Sequence, residues 1–274
     1  MTQVVRNYCG VVVILVWGLA PFYWMVVTAL RNKDHTFDTT PWPTHVTLEN
    51  FGDALATDKG NDFLGAIGNS LLVGAVTTFL AVLVGVFTAY AIARLDFRAK
   101  GIVTGIVLAA SMFPGIALVT PLFQLFGDLG WIGTYRALII PNISFALPLT
   151  IYTLVSFFRQ LPWELEEAAR VGGATRGQAF RLVLLPLAAP ALFTTAILAF
   201  IATWNEFMLA KQLSSNATEP VTVAIARFSG PSAFEYPYAA IMAAGTLVTI
   251  PLVIMVLVFQ RRIVAGLTAG GVKA

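Results

Sequence analysis

Charged residues are scarce in this chain of 274 residues, where 11% of positions are Asp, Glu, Lys or Arg and 58% are hydrophobic. A soluble domain carries about 25% charged residues, so this sequence cannot cover a surface that faces water. The scarcity excludes an ordinary soluble protein and predicts an all-α integral membrane protein. The net charge of +3 is small and gives no reason to expect nucleic-acid binding.

Cysteine and histidine are rarer still. The single cysteine, Cys9, excludes an internal disulfide. The two histidines, His35 and His45, lie ten residues apart without a constellation of cysteines or carboxylates, so no metal site is predicted. No Ser-His-Asp grouping is recognisable, and no catalytic residue is assigned.

Long charge-free runs are what the chain has in abundance. Each of six runs exceeds the roughly 20 residues that a helix needs to cross ~30 Å of hydrocarbon. We therefore predict a single transmembrane domain, 1–274, with six helices, the first of which is a retained anchor and not a cleaved signal peptide. The predicted spans are about 9–30, 69–93, 102–126, 137–158, 187–206 and 238–260.

The basic residues indicate how the spans are oriented. Six spans place both termini on one side, and with both ends inside, the inner segments hold 11 of the 17 Lys and Arg residues. Lys and Arg accumulate on the cytoplasmic side of membrane proteins. The sequence thus predicts a multi-pass protein of the cytoplasmic membrane with both termini in the cytoplasm and a cytoplasmic loop at 159–186.

The loop 159–186 is the longest charged interruption in the second half of the chain. Its first part, "PWELEEAAR", predicts a short helix, because three glutamates lie near the positive end of the helix dipole and Arg170 near the negative end. Glu166 and Arg170 are spaced as an i,i+4 ion pair. The loop is therefore expected to be ordered.

A turn and a second helix should follow. Gly172 and Gly173 are expected to end the first helix, since glycine accepts the left-handed backbone of a C-cap. Thr175 and Gln178 have the spacing of a capping box, which predicts a second helix that runs to Pro186.

The sequence contains no recognisable site for a coupling ion or a nucleotide that could drive transport. Its spans contain few ionisable groups, which argues against coupling to H⁺ or Na⁺. The glycines at 172 and 177 have the spacing of a phosphate loop, but the required Lys and Ser/Thr are missing and no strand precedes them. A solute transporter of this composition would need a separate motor, and its uncharged interior fits a neutral solute such as a sugar.

The stretch "TWNEF" holds the one acid at the edge of a span, Glu206. The interpretation we favour places Glu206 at the outer membrane interface with Trp204 as an aromatic anchor. The alternative is that Trp204, Asn205 and Glu206 belong to a pathway or gate. The polar uncharged residues within the spans are expected to be mostly interhelical or back-bonded hydrogen-bond partners, with a lining role left open for some. They include Asn69, Ser70, Asn142, Thr194 and Thr195.

One motif in the loop resembles a known family. Glu167-Ala168-Ala169, three residues, Gly173, nine residues and then Val183-Leu184-Leu185-Pro186 resemble the EAA loop of ABC importer membrane subunits, E-A-A-x3-G-x9-I-x-L-P. Val183 replaces the usual Ile, and Gly172 stands where relatives often carry Asp. The stretches "WNEFMLA" and "RRIVAGLTAGGVKA" are similar to the maltose-permease G-type branch.

This resemblance implies a type I ABC importer transmembrane domain. The chain would be a permease subunit that moves a di- or oligosaccharide by alternating access, and it would be neither an enzyme nor a cofactor-binding protein. The implied partners are a second homologous membrane subunit, an ATPase dimer that holds ATP and Mg²⁺, and an extracellular or periplasmic sugar-binding protein.

The resemblance also implies which residues meet the ATPase. The coupling residues would be Glu167, Ala168, Ala169, Gly173, Leu185 and Pro186, and the C-terminal tail, with Gly266, Gly270 and Lys273, would reach the ATPase as well. An ion-coupled secondary transporter and a non-transporting membrane anchor remain the alternatives.

Overall fold

The computed structural model describes residues 2–56, 62–228 and 237–271, and the regular elements in these ranges are helical. The α-helices are α1 (Thr2–Ala29), α2 (Glu49–Leu55), α3 (Phe63–Arg94), α4 (Lys100–Ser111), α5 (Val119–Asp128), α6 (Tyr135–Gln160), α7 (Glu164–Val171), α8 (Arg176–Ala179), α9 (Leu185–Leu187), α10 (Ala189–Trp204), α11 (Met208–Leu213), α12 (Val221–Ala226) and α13 (Tyr238–Gly271). Short 3₁₀ turns lie at Lys33–His35 and Gly115–Leu118, and one π-helical turn joins α8 to α9 at Phe180–Leu184.

Four continuous helices in the described ranges are long and apolar enough to cross a membrane. They are Asn7–Ala29 within α1, all of α3 and α6, and Tyr238–Gln260 within α13. The other two predicted spans are bent pairs of shorter helices: Lys100–Ser111 meets Gly115–Asp128 at 90°, and Arg176–Leu187 meets Ala189–Trp204 at 70°. The predicted six spans are obtained when each bent pair counts as one, and spans three and five are then each formed by two helices that meet at a sharp bend.

A proline lies at each of the two breaks. Pro114 disfavours helical backbone at the residue before it and has no N–H to donate, and the chain there leaves α4 and enters the 3₁₀ turn. Pro190 lies in the first turn of α10, where its missing N–H costs nothing. Pro141 and Pro148 are instead buried within the continuous α6.

The chain forms two compact units, residues 1–67 with 223–253 and residues 68–222 with 254–274. In the first unit, α1 presents apolar side chains along most of its length, and Trp17 is 84% exposed. An apolar surface of this extent is expected to face lipid or another protein.

The segment after α1 is ordered by buried polar side chains. Arg31 is fully buried, donates to the carbonyl oxygens of Asp38 and Thr40, and lies 5.0 Å from the centroid of the Trp24 ring. Asn50 is also fully buried and donates to the carbonyl oxygens of Ala29, at 2.9 Å, and Arg31, at 2.6 Å. Buried polar groups are thus what order this segment, because each satisfies backbone carbonyls that would otherwise lack donors.

We expect Arg31→Met to destabilise this unit strongly. It removes charge-assisted hydrogen bonds from a fully buried guanidinium to two carbonyls, which corresponds to about 3 kcal/mol and a melting temperature lower by roughly 5–10 °C in detergent. Lys33→Met is the control, because the Lys33 side chain is 60% exposed in its 2.8 Å ion pair with Asp53, and surface ion pairs contribute about 0–1 kcal/mol. Equal melting temperatures for the two variants would contradict the role given to Arg31.

In the second unit, α3 approaches its neighbours closely at two glycines. A side chain at Gly85 would begin 2.5 Å from Cγ2 of Thr150 in α6, and one at Gly74 would begin 2.7 Å from the Phe200 ring in α10. Small residues let helix backbones approach in this way where lipid gives no hydrophobic driving force between helices. The main core of this unit consists of Val86, Ala89, Ile92, Ala93, Ile151, Leu154, Val155, Phe158, Phe180, Leu184, Ala188 and Ala191.

Candidate functional site

A glycine turn joins the two limbs of residues 164–186, which we call the EAA element. Gly173 has φ +91°, a left-handed conformation that residues with a side chain rarely adopt. Its N–H donates to the Arg170 carbonyl and the Ala174 N–H donates to the Ala169 carbonyl, both at 3.0 Å. This is the Schellman arrangement, which closes a helix C-terminus with a left-handed residue. Helix α7 therefore ends at the glycines, as predicted.

The predicted capping box opens the second limb. The Gln178 N–H donates to Thr175 Oγ1 at 3.3 Å, and the Thr175 N–H donates to Gln178 Oε1 at 2.8 Å. The limb then passes through the π-helical turn Phe180–Leu184 into α9. Both ends of the turn between the limbs are thus held by hydrogen bonds, so the element has a defined shape.

The residues implied by the EAA motif lie mostly on the accessible side of the element. Glu167 and Ala168 are exposed, Ala169 is half-buried, and Gly173 forms the exposed turn. The motif did not include Val171, yet its side chain is 90% exposed beside the turn. The sequence signal that could have found it is an apolar residue between Arg170 and the two glycines, in a loop expected to face water. Of the distal pair, Leu185 is half-buried and Pro186 is exposed.

Glu166 points the other way, into the protein. It is buried, and its Oε1 accepts a hydrogen bond from the Tyr90 hydroxyl of α3 at 3.1 Å. The predicted ion pair with Arg170 is wrong, since within residues 62–228 no salt bridge joins these two side chains. The reason is that the Glu166 carboxylate lies on the buried face of α7, whereas Arg170 is exposed. Glu166 connects the element to α3 and does not stabilise α7 from its surface.

Arg94, the last residue of α3, contacts the residues that directly precede the EAA element. Its Nε donates to the Phe158 carbonyl at 3.1 Å, and its Nη2 donates to the Leu161 carbonyl. Its guanidinium lies 4.4 Å from the centroid of the Trp163 ring, directly before α7. The carbonyl groups at the end of a helix lack intrahelical donors, and Arg94 supplies donors for the end of α6. It thereby ties α3 to the junction of α6 and α7.

An aromatic cluster holds the second limb. The Phe180 ring lies 4.5 Å from Tyr90, 5.7 Å from Phe87 and 6.3 Å from Phe158 between centroids. Phe180 begins the π-helical turn, a distortion that is frequent at functional sites. The same tyrosine that bonds Glu166 in the first limb therefore packs on Phe180 in the second, and the two limbs share one anchor on α3.

The three residues proposed for a pathway or gate occupy different environments. Trp204 is 2% exposed and its ring stacks on Phe200 at 5.6 Å, so its assignment as an anchor at the membrane interface is wrong. Asn205 is exposed and donates to the Ile201 carbonyl at 2.8 Å. Glu206 accepts from the backbone N–H groups of Leu209, at 2.8 Å, and Ala210, at 2.9 Å, and thereby caps α11.

A cleft of about 230 Å³ adjoins Glu206. Its lining includes Gly115 and Ile116 from the break in span three, Asn142 and Phe145 of α6, and Thr203 of α10. We call it the Asn142 cleft. The sequence identified Asn142 as a polar residue within a span, but it contained no signal that joins this residue to Glu206 and the break, which are far apart along the chain.

Asn69, Ser70, Thr194 and Thr195 are hydrogen-bond partners, as expected. Asn69 donates to the carbonyl oxygens of Ala217 and Glu219, at 3.1 and 3.0 Å, and Ser70 Oγ accepts from the Val221 N–H at 2.8 Å. The Thr194 and Thr195 hydroxyls donate to carbonyl groups one turn back in α10, at 3.0 and 2.8 Å.

The proposed tail residues cannot be placed against a partner. Gly266 and Gly270 fall within α13, which continues beyond the predicted span to Gly271, and Lys273 lies outside the described residues. Contact between the tail and an ATPase stays a prediction.

Comparison with known proteins finds a family model and relatives that agree on a membrane transport subunit. A family model described as "Binding-protein-dependent transport system inner membrane component" matches residues 81–268. The trehalose transport system permease protein SugB of Mycobacterium tuberculosis is 47% identical over 258 residues, which cover 94% of this chain and 93% of that protein. The trehalose/maltose transport system permease protein MalG of Thermococcus litoralis is 41% identical over 266 residues, 96% of this chain and 95% of that one.

A solved structure has the same fold. The chain matches one from a bacterial ABC transporter involved in the import of the acidic polysaccharide alginate, with a TM-score of 0.78 and 20% identity, over 95% of this chain and 96% of that chain. With its apolar helices and these relatives, this chain belongs to the binding-protein-dependent transport system inner membrane components, and it is a multi-pass transport subunit, not an enzyme.

Proposed function

We propose that this chain is the permease subunit of an ATP-driven importer that takes a di- or oligosaccharide from a binding protein and moves it by alternating access. The names of the two relatives above, a trehalose and a trehalose/maltose permease, support a saccharide cargo. The scarcity of charge in the spans supports a neutral cargo and an external motor, because ion-coupled transporters use ionisable groups within the membrane. ATP and Mg²⁺ bind to the partner ATPase.

The EAA element is the contact with that ATPase. Glu167 offers a carboxylate to a basic group, and the small side chain of Ala168 permits close packing beside it. Val171 adds an exposed apolar contact, which a partner would remove from water. The single observation that carries the proposal is that this exposed face belongs to an element whose opposite face is tied to α3 through Glu166.

Motion of the ATPase reaches the spans because the element moves as a unit with them. Its turn is closed by the Schellman bonds and the capping box. Tyr90 ties it to α3, Arg94 ties α3 to the junction directly before it, and Phe180 packs it into the core shared with α6. Packed helices rearrange as rigid bodies between discrete states, so closure of an ATPase pair would rock these spans between inward-open and outward-open states.

The proposal includes an orientation and a set of partners. The excess of Lys and Arg in 159–186 and at the chain ends supports cytoplasmic termini and a cytoplasmic EAA element. The partners are a second related membrane subunit, an ATPase dimer and a sugar-binding protein on the opposite side of the membrane.

Reconstitution of the complete complex in vesicles tests the function. We expect trehalose-loaded binding protein to raise ATP hydrolysis several-fold, and uptake of radiolabelled trehalose to require ATP. A Glu167→Arg variant, which repels a basic group on the ATPase, should lower both activities. Glu164→Arg is the matched control, because Glu164 is exposed in the same helix but lies outside the motif.

Two outcomes would overturn the proposal. Uptake without nucleotide, driven by a proton or sodium gradient, would identify a secondary transporter. ATP hydrolysis at a rate that the binding protein does not change, with no uptake of any saccharide, would identify a membrane anchor.

A further inference from the structure

The Asn142 cleft lies where the backbone of span three is broken. Gly115 and Ile116, which line it, belong to the 3₁₀ turn between the two helices that meet at 90°. Irregular backbone within a membrane span is tolerated where it is buried in protein or lines a cavity, and transporters place substrate sites at such discontinuous helices. The break and the cavity thus occur together, as a binding site in a membrane protein requires.

The polar side chains in the cleft have hydrogen-bonding capacity to offer. Asn142 is only 6% exposed and donates one N–H to the Leu138 carbonyl at 2.9 Å, which leaves its Oδ1 and its second N–H. Glu206 is held by two backbone N–H groups, and each carboxylate oxygen retains a further lone pair. Burying polar groups in an apolar span is costly unless they are bonded, so a hydroxyl-bearing ligand would satisfy them.

The remaining walls are apolar and include an aromatic ring. Phe145 stands opposite the break, and a side chain at Gly115 would begin 3.5 Å from its ring. An apolar ring face beside a few fixed polar groups suits a sugar, which has C–H faces and hydroxyl edges. At about 230 Å³ the cleft is smaller than the ~300–1,000 Å³ of typical drug-sized sites, so it fits one sugar ring and not a whole disaccharide.

A second, smaller cavity adjoins the first. Its volume is about 10 Å³, and it shares Asn142, Thr203 and Glu206 with the larger one. That volume is about what one water molecule needs. The three shared side chains therefore line both the larger cavity, which has room for a sugar ring, and the smaller one, which has room for a water molecule.

We propose that the Asn142 cleft is a saccharide-contact site within this subunit, in which Asn142 and Glu206 bind hydroxyls of one neutral sugar ring that packs against Phe145. The proposal rests on the proposed saccharide import and assigns part of the cargo's path to this chain. Asn142 and Phe145 become specificity-determining residues, while Trp204 and Asn205 do not line the cleft.

Two variants of the reconstituted complex test the site. Gly115→Leu fills the cleft with apolar atoms, and Asn142→Leu removes its amide. We expect each to reduce the trehalose transported per ATP hydrolysed about tenfold. Gly105→Leu is the control for the first, because Gly105 of α4 has open space around it. Thr195→Val is the control for the second, because it removes a buried polar group of α10 away from the cleft.

Uptake of monodeoxy trehalose analogues separates specificity from folding. The wild type should discriminate against the analogue that lacks the bonded hydroxyl, and Asn142→Leu should transport that analogue and trehalose at equal rates. If Gly115→Leu transported as much trehalose per ATP hydrolysed as its control Gly105→Leu, the proposed site would be refuted, even if Asn142→Leu failed to fold. Absence of any trehalose uptake by the wild type would instead refute the proposed function, so the two failures are distinguishable.

Discussion

Gly173→Ala should reduce binding-protein-stimulated ATP hydrolysis and saccharide uptake by at least about tenfold. Gly173 has φ +91°, and a side chain there costs on the order of 1–3 kcal/mol. The turn can relieve that strain only by breaking the Schellman bonds, which changes the angle between the two limbs of the EAA element. Since 1.4 kcal/mol corresponds to a factor of ten, docking on the ATPase should fail in most molecules. ATP hydrolysis and uptake in vesicles measure the effect.

Gly172→Ala is the matched control for that experiment. The two glycines are adjacent and both are exposed, but Gly172 has φ −74°, which alanine adopts readily. A side chain at Gly172 would begin 3.4 Å from the Ala169 carbonyl oxygen, a contact that a small shift accommodates. We expect activity within about twofold of the wild type. If both variants were equally active, the left-handed turn would have no part in coupling.

Tyr90→Phe should loosen the EAA element and separate ATP hydrolysis from transport. The variant removes the hydrogen bond to the buried Glu166 carboxylate, and a bond to a charged group contributes about 1.5–3 kcal/mol. We expect a melting temperature lower by roughly 4–10 °C, faster hydrogen exchange in Glu164–Val171, and several-fold fewer sugars transported per ATP. Tyr90 acts here as a positioning residue, because it touches the element and not the cargo.

Tyr152→Phe controls for the loss of a hydroxyl. Tyr152 lies in α6 and is 63% exposed, so its hydroxyl has no buried partner to lose. Glu166→Gln is the conservative variant, since its amide oxygen still accepts from Tyr90, and it should keep most of the coupling. If Tyr90→Phe kept slow hydrogen exchange in Glu164–Val171 and the wild-type number of sugars transported per ATP, the hydrogen bond to Glu166 would have no part in transmitting motion from the ATPase to the spans.

The local structure of the EAA element could be predicted closely from the sequence. The end of α7 at Gly172 and Gly173 and the capping box of Thr175 and Gln178 depend on residues within a few positions of each other. Short-range rules were sufficient because the interacting groups are near neighbours along the chain. The wrong prediction for Glu166 came from the same rules, which compare partners on one helix and do not consider Tyr90, a half-buried residue 76 positions away.

The environment of the "TWNEF" stretch could not be predicted in the same way. Tryptophan at the end of an apolar run is typical of a membrane interface, yet Trp204 is packed against Phe200 inside the unit. Glu206 was identified as unusual, and the structure adds Asn142, Phe145 and Gly115 around the adjoining cleft. These residues come from three separate segments, and only their packing brings them together.

The sequence by itself determined that this is a membrane protein with six apolar runs and an EAA motif between the fourth and fifth. Composition and spacing are sufficient there, because lipid demands long apolar helices and the motif is local. The tertiary structure alone decided that Pro114 and Pro190 lie at breaks while Pro141 and Pro148 stay within a helix. It also decided that Tyr90 holds the EAA element and that Arg94 holds the junction before it. Such outcomes depend on which distant side chains satisfy a backbone or carboxylate group in an apolar interior, and no short stretch of sequence contains that information.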